Sequence, residues 1–137
     1  MKKKLNSVLL IDDDRPTNVY NKAIVNQADV TEQIDVCHDG QEALDFLKST
    51  IEGDHPRPSL IFLDVNMPGM NGWEFLEAYN ALPANQKGRI LVFMLTTSLD
   101  PEDEGKSLKL GADGFIRKPL TPELVLQIAK EYFPENF

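Results

Sequence analysis

The chain has 137 residues, of which 42% are hydrophobic, and its 14 basic and 22 acidic side chains leave a net charge of −8. This length predicts one domain with a single sizeable core and leaves no room for a second. The longest apolar run, Ile90–Leu95, is far shorter than the roughly 20 residues of a membrane span, so we expect no membrane insertion. The acidic balance argues against direct binding to nucleic acid, which requires a basic face.

The chain carries no sign of export. The apolar stretch behind the first lysines, Val8–Ile11, is short and runs into three aspartates, so it cannot be the core of a signal peptide. The single cysteine, Cys37, cannot form an intrachain disulfide and fits a reducing compartment. We therefore expect a cytoplasmic protein.

The first half of the chain alternates short apolar runs with helix-like segments. Val8–Ile11 has the length of a strand, and a helix is expected from about Pro16 to Ala28. The apolar residues expected on the inner face of that helix are Val19, Ala23 and Ile24. A second strand is predicted at Ile34–Cys37, and the next helix begins after Asp39, an N-cap acid with a glutamate three residues on.

The second half continues the alternation after a loop at Glu52–Ser59, which contains one glycine and two prolines. Three further strands are predicted, at Leu60–Leu63, Ile90–Leu95 and Gly114–Arg117. Capping residues or prolines mark three further helix starts, at Asn71-Gly72, Asp100-Pro101 and Thr121-Pro122.

Five strands thus alternate with five helices. Strands made of continuous apolar residues are typical of a parallel sheet that is covered on both faces. The pattern predicts a three-layer, doubly wound α/β domain of the flavodoxin-like (βα)5 type. Among the doubly wound strand orders we choose 2-1-3-4-5, an order that periodicity alone does not determine.

Four of the five predicted strands deliver polar side chains to one edge, and ligands of open α/β sheets bind at the carboxyl ends of the strands. In strand order these side chains are Asp12, Asp13 and Asp14, then Asp64, then Thr96, Thr97 and Ser98, and finally Lys118, while the second strand leads into His38 and Asp39. Neighbouring carboxylates repel one another unless a cation holds them, and oxygen ligands suit Mg²⁺. A lysine suits phosphate, a threonine hydroxyl can donate to a phosphate oxygen, and a carboxylate can form an aspartyl phosphate. These groups together fit phosphoryl transfer.

Four segments at these strand ends resemble the receiver domain of two-component response regulators. They are Val8–Asp13, Leu63–Gly72, Leu95–Ser98 and Gly111–Leu120. The resemblance runs from about Ser7 to Tyr132. It implies a single, stand-alone receiver over residues 1–137, with a core from about 7 to 132 and no output domain. The Ser49–Ser59 connection is longer than in minimal receivers and is either a partner surface or a tolerated insertion.

The resemblance also implies roles for individual residues. Asp64 would be the phosphoacceptor, Thr96 would bond a phosphoryl oxygen, and Lys118 would pair with Asp64 or its phosphate. Mg²⁺, or Mn²⁺ in its place, would be held by Asp12, Asp13, Asp64 and the backbone carbonyl of Asn66. Thr96 and Phe115 would form the switch, although Phe115 lacks the hydroxyl of the tyrosine often found there. The Lys118–Pro119 peptide bond is expected to be cis.

As a receiver, the protein would take a phosphoryl group from a histidine kinase or phosphotransfer protein and change its contact with a downstream protein. It would not be an enzyme beyond its own phosphorylation and dephosphorylation. The sequence leaves open whether the protein forms a homodimer. One alternative is an aspartate-dependent phosphohydrolase resembling the haloacid dehalogenase superfamily, with Asp12 and Asp14 as its Asp-x-Asp motif. A second is a degenerate receiver that acts without phosphorylation, and a third is a flavodoxin-like binding module.

Overall fold

The computed structural model describes residues 4–49, 57–83, 90–97 and 100–137. Within these ranges, strands and helices alternate along the chain. The strands are β1 (Val8–Ile11), β2 (Ile34–Cys37), β3 (Leu60–Asp64), β4 (Leu91–Thr96) and β5 (Gly114–Arg117). The helices are α1 (Arg15–Ala28), α2 (Gly40–Lys48), α3 (Gly72–Asn80), α4 (Pro101–Lys109) and α5 (Pro122–Tyr132).

All strand pairs are parallel, and the sheet has the order β2-β1-β3-β4-β5. The predicted fold class and strand order are therefore confirmed. Strands β1 and β3 are buried along their whole length, which explains their continuous apolar sequences, because helices cover both faces of the sheet. Ile11 of β1 pairs with Leu63 of β3, so the residues that follow these two strands leave the sheet side by side.

Two apolar cores lie on the two faces of the sheet because successive strand residues point to opposite sides. Leu9 and Ile11 face the core under α2, α3 and α4. Val8 and Leu10 face the other core, which α1 and α5 cover. The predicted three-layer arrangement is thus confirmed, and the structure adds which helices lie on which face.

Polar side chains cap the helices where the sequence predicts helix starts. The N-cap residues of α1 to α5 are Asp14, Asp39, Asn71, Asp100 and Thr121. Only the α3 cap is a full capping box, since the Glu74 carboxylate accepts from the backbone N–H of Asn71. At α2, the Glu42 carboxylate instead accepts from the backbone N–H of His38, at 2.9 Å.

The prediction for the inner face of α1 was wrong in two of three residues. Val19 is 71% exposed and Ala23 is also exposed, whereas Ile24 is buried as expected. The buried stripe of the helix consists of Asn18, Asn21, Ile24 and Val25. Hydrophobic periodicity placed the stripe incorrectly because half of its positions hold asparagine rather than an apolar residue.

Trp73 ties α3 to α4. Its indole Nε1–H donates to Oγ of the fully buried Ser107 at 2.9 Å. Nζ of Lys106 lies 4.1 Å from the centroid of the Trp73 ring, a distance at which a cation and a ring face attract each other. The two helices are therefore joined by a hydrogen bond and a cation–π contact.

The predicted loop at Glu52–Ser59 and the longer connection Ser49–Ser59 lie mostly outside the described residues, as does Ser98. Within the described ranges, no helix combines the length and the apolar character that a bilayer crossing requires.

Candidate functional site

Three aspartates meet at the carboxyl ends of β1 and β3. Asp12, Asp13 and Asp64 each offer one carboxylate oxygen, and these three oxygens lie within 4.8 Å of one another. Asp12 is 3% exposed and Asp64 is 6% exposed, while Asp13 faces solvent. The pairing of β1 with β3 brings these acids together, as the strand-end argument predicts.

Lys118 joins the two buried acids. Its Nζ lies 3.0 Å from Oδ2 of Asp12 and 3.1 Å from Oδ1 of Asp64. The lysine follows β5, and its backbone N–H donates to the carbonyl of Thr96 at 2.8 Å. The Lys118–Pro119 peptide bond is cis. The resemblance pairs Lys118 with Asp64 or its phosphate, and the structure adds Asp12 as a further partner.

The environment changes the proton affinities of both members of the Lys118–Asp64 pair. Burial, and then repulsion from Asp12, raise the pKa of Asp64 to about 6, and the attraction of Lys118 offsets only part of this. Burial by itself lowers the pKa of Lys118, but its hydrogen bond to Asp12 and its attraction to Asp64 leave that pKa above the ordinary value. The site therefore has an excess of negative charge that one lysine does not neutralise.

The turn after β1 is held by hydrogen bonds on all sides of Asp12. The backbone N–H of Asp12 donates to the Cys37 carbonyl at 3.2 Å, and its Oδ1 accepts from the backbone N–H of Asp14 at 2.9 Å. The amide Nδ2 of Asn18 donates to the Asp12 carbonyl at 2.8 Å. The sequence does not reveal this role of Asn18, because its partner is a backbone carbonyl and the apolar pattern of α1 does not mark position 18 as buried.

Asp14 belongs to the helix rather than to the acidic cluster. Its carboxylate accepts from the backbone N–H of Thr17 at 3.0 Å and from the Thr17 hydroxyl. These hydrogen bonds hold the pKa of Asp14 below its usual range. Capping therefore accounts for Asp14.

The other predicted site residues lie on β4, on β5, in the loop after β3 and just beyond β4. Thr96 ends β4 and is 1% exposed, and its position on the sheet puts it on the face that α2, α3 and α4 cover. Phe115 pairs with Met94 in the sheet and packs, partly buried, against the core of that same face. Asn66 is exposed in the β3–α3 loop, two residues after Asp64, and Thr97 is exposed at the end of β4.

The fold and the site together define a class of protein: a doubly wound α/β domain with an acidic cluster and a lysine at its strand ends. Residues 8–130 match the family model described as response regulator receiver domain. The nitrate/nitrite response regulator protein NarL of Escherichia coli is 34% identical over 121 residues, covering 88% of this chain and 51% of that protein. The transcriptional regulatory protein CpxR of Escherichia coli is 35% identical over 125 residues, covering 90% and 48%.

Solved structures agree. A two-component response regulator from Cytophaga hutchinsonii superimposes with a TM-score of 0.85 and 33% identity, covering 97% of this chain and 100% of that one. The chain belongs to the response regulator receiver domain family and is a receiver domain of two-component signal transduction. It spans about half the length of the curated relatives it matches. None of these matches favours the phosphohydrolase alternative.

Proposed function

We propose that Asp64 accepts a phosphoryl group from the phosphohistidine of a sensor histidine kinase or phosphotransfer protein. The observation that carries this proposal is the convergence of Asp64 with Asp12, Asp13 and Lys118 at one edge of the sheet. The arrangement combines a nucleophile with charged groups that can stabilise a transferred phosphoryl group, and phosphoryl transfer depends mainly on positioning and charge.

In the proposed step, a carboxylate oxygen of Asp64 attacks phosphorus, and the phosphorus–nitrogen bond of the donor breaks. The donor ring, protonated on its other nitrogen, leaves as neutral imidazole with the bonding electron pair, so the step needs no other reactant. Asp64 must be ionised to attack, and its raised pKa of about 6 leaves it mostly ionised at neutral pH. Lys118 would then pair with a phosphoryl oxygen, and the Thr96 hydroxyl would donate to another.

The donor set fits a small, hard divalent cation because three carboxylates cluster there and Lys118 pairs with only two of them. The proposed ligands of Mg²⁺, or of Mn²⁺ in its place, are Asp12, Asp13, Asp64 and the backbone carbonyl of Asn66. When bound, the cation supplies positive charge that offsets the acids and the phosphoryl oxygens.

The output would be a change in contact with a downstream protein. Thr96 and Phe115 lie on one face of the sheet, next to α4, so a charge gained at Asp64 can alter that face. We further propose that residues 1–137 act as a single cytoplasmic receiver with a core from about 7 to 132. It would neither insert in membranes nor bind nucleic acid directly, and it would catalyse only its own phosphorylation and dephosphorylation.

Intact mass spectrometry after incubation with acetyl phosphate and Mg²⁺ tests the proposal. We expect a gain of one phosphoryl group in the wild type, no gain in Asp64→Asn or with EDTA, and a normal gain in Asp14→Asn, whose acid only caps a helix. No gain in the wild type, with Mg²⁺ binding verified separately, would favour a degenerate receiver. Turnover of small phosphate esters that depends on Asp12 would favour the phosphohydrolase.

A further inference from the structure

A buried asparagine lies directly behind the acidic cluster. Asn18, in the first half of α1, is 3% exposed, and its Nδ2 donates to the backbone carbonyl of Asp12 at 2.8 Å. This contact determines which way the amide faces, because turning it over would put its oxygen against the carbonyl oxygen of Asp12.

The other half of the Asn18 amide costs the protein stability. Its Oδ1 is buried, and no described residue donates a hydrogen bond to it. A buried acceptor without a donor is unfavourable. An apolar side chain of similar shape would remove this cost, but it would leave the carbonyl of Asp12 without the Asn18 donor. The hydrogen bond from Nδ2 to Asp12 is what an apolar side chain cannot supply.

That hydrogen bond controls the direction of the acidic turn. The carbonyl of Asp12 and the N–H of Asp13 belong to one planar peptide unit, so the bond from Asn18 orients the unit from which Asp13 departs. Asp13 is the exposed member of the cluster. Its carboxylate lies in reach of the other two only if this peptide unit keeps its orientation.

We propose that Asn18 is a positioning residue for divalent cation binding: it holds the Asp12–Asp13 turn in the geometry that brings three carboxylates together. The inference rests on the proposed function, since it concerns the same cation site. Groups that orient metal ligands without touching the metal commonly change its affinity by about 10- to 100-fold.

Asn21 provides a matched control. It is 4% exposed and lies one turn further along the same buried stripe of α1. Within the described residues, the hydrogen bonds to the Asp12 turn come from Asn18, Asp14 and Lys118, and Asn21 is not among them. Asn21→Leu therefore changes the same kind of residue on the same helix face without touching the acidic turn.

The experiment compares wild type, Asn18→Leu and Asn21→Leu in three measurements. These are the amide chemical shifts during titration with MgCl₂, the rate of phosphorylation by acetyl phosphate as a function of Mg²⁺ concentration, and the thermal unfolding midpoint in EDTA. For Asn18→Leu we expect Mg²⁺ binding weakened by about tenfold and a phosphorylation rate that recovers at saturating Mg²⁺. The unfolding midpoint should stay close to that of wild type, because the variant removes one buried unpaired acceptor, Oδ1 of Asn18, and creates another, the carbonyl of Asp12. Asn21→Leu should bind Mg²⁺ like wild type.

Unchanged Mg²⁺ affinity in Asn18→Leu would overturn the inference, as would an equal loss in Asn21→Leu or a loss accompanied by a lower unfolding midpoint in EDTA. If the leucine variant fails to fold, Asn18→Ala tests the same hydrogen bond, with the same expected loss of affinity. If the wild type binds Mg²⁺ and gains a phosphoryl group, and Asn18→Leu does so equally well, only this inference is refuted. If the wild type neither binds Mg²⁺ nor gains a phosphoryl group, the proposed function is refuted as well.

Discussion

Gly72, the first residue of α3, lies directly against the backbone of Asp64. A Cβ atom added at Gly72 would overlap the Asp64 carbonyl oxygen and would lie 2.9 Å from Cα of Val65. The backbone N–H of Gly72 donates to the Val65 carbonyl at 2.9 Å, which keeps the two segments in contact. The start of α3 and the proposed phosphoacceptor therefore cannot move independently.

Gly72→Ala is expected to destabilise the protein by about 1–3 kcal/mol, because backbone atoms must shift to admit the methyl group. It should also slow phosphorylation, since the shift falls on Asp64. Urea unfolding and the acetyl phosphate reaction measure the two effects. Gly105→Ala is the control: an added Cβ there meets nothing within 4 Å, and alanine should stabilise the middle of α4 by roughly 0.5–1 kcal/mol. Equal stability of the two variants would contradict the close contact at Gly72.

Replacing Lys118 should destabilise the protein more without Mg²⁺ than with it. Lys118→Met leaves two buried carboxylates without their shared cation, and we expect a loss of roughly 1–3 kcal/mol in EDTA. Saturating Mg²⁺ should reduce this loss, because it brings positive charge to the same acids. Lys4→Met, which breaks an exposed ion pair with Asp29, should change stability little in either condition. A loss at Lys118 that is the same with and without Mg²⁺ would argue against cation binding between these acids.

The pH dependence of stability should reveal the charge crowding at Asp64. The folded protein holds the Asp64 proton up to a pKa of about 6, against an ordinary 3.8, so it binds more protons than the unfolded chain between these values. In EDTA, the free energy of unfolding is therefore expected to fall as pH rises from about 4 to 6, by about 3 kcal/mol from this group. Asp64→Asn should remove that part of the slope. Parallel wild-type and variant profiles would refute the raised pKa.

Cys37 should behave as an inert thiol in the folded protein. It is 3% exposed, and burial, together with the acids Glu42 and Asp35, raises its pKa to about 12. A thiol-specific disulfide reagent at pH 8 should therefore leave it unmodified in the native state and modify it fully in urea. Rapid reaction of the native protein would show that the end of β2 opens often.

Much of the fold follows from local signals in the sequence. Continuous apolar runs such as Leu60–Leu63 predict a sheet covered on both faces, and capping residues such as Asp39 and Asp100 place the helix starts. Asp12, Asp13 and Asp64 were predicted together because neighbouring parallel strands end at one edge. The sequence motifs also suggest Lys118, but its bond to Asp12 depends on the three-dimensional path of β5 relative to β1.

The part that sequence reasoning missed lies in α1. Periodicity analysis weighs apolar residues, so Val19 and Ala23 were assigned to the inner face, which Asn18 and Asn21 occupy instead. An asparagine can be buried when its neighbours provide a hydrogen bond, and that partner, the carbonyl of Asp12, is a backbone atom with no signature in the sequence.

The bond between Trp73 and Ser107 gives the protein an optical probe of its own. Trp73 is the single tryptophan of the chain and directly follows the glycine that touches Asp64, while its indole rests on α4 under a lysine ammonium. Indole emission responds to nearby charge and to hydrogen bonding. The emission wavelength and intensity of Trp73 can therefore report, without a label, whether a change at the acidic edge of the sheet reaches α4.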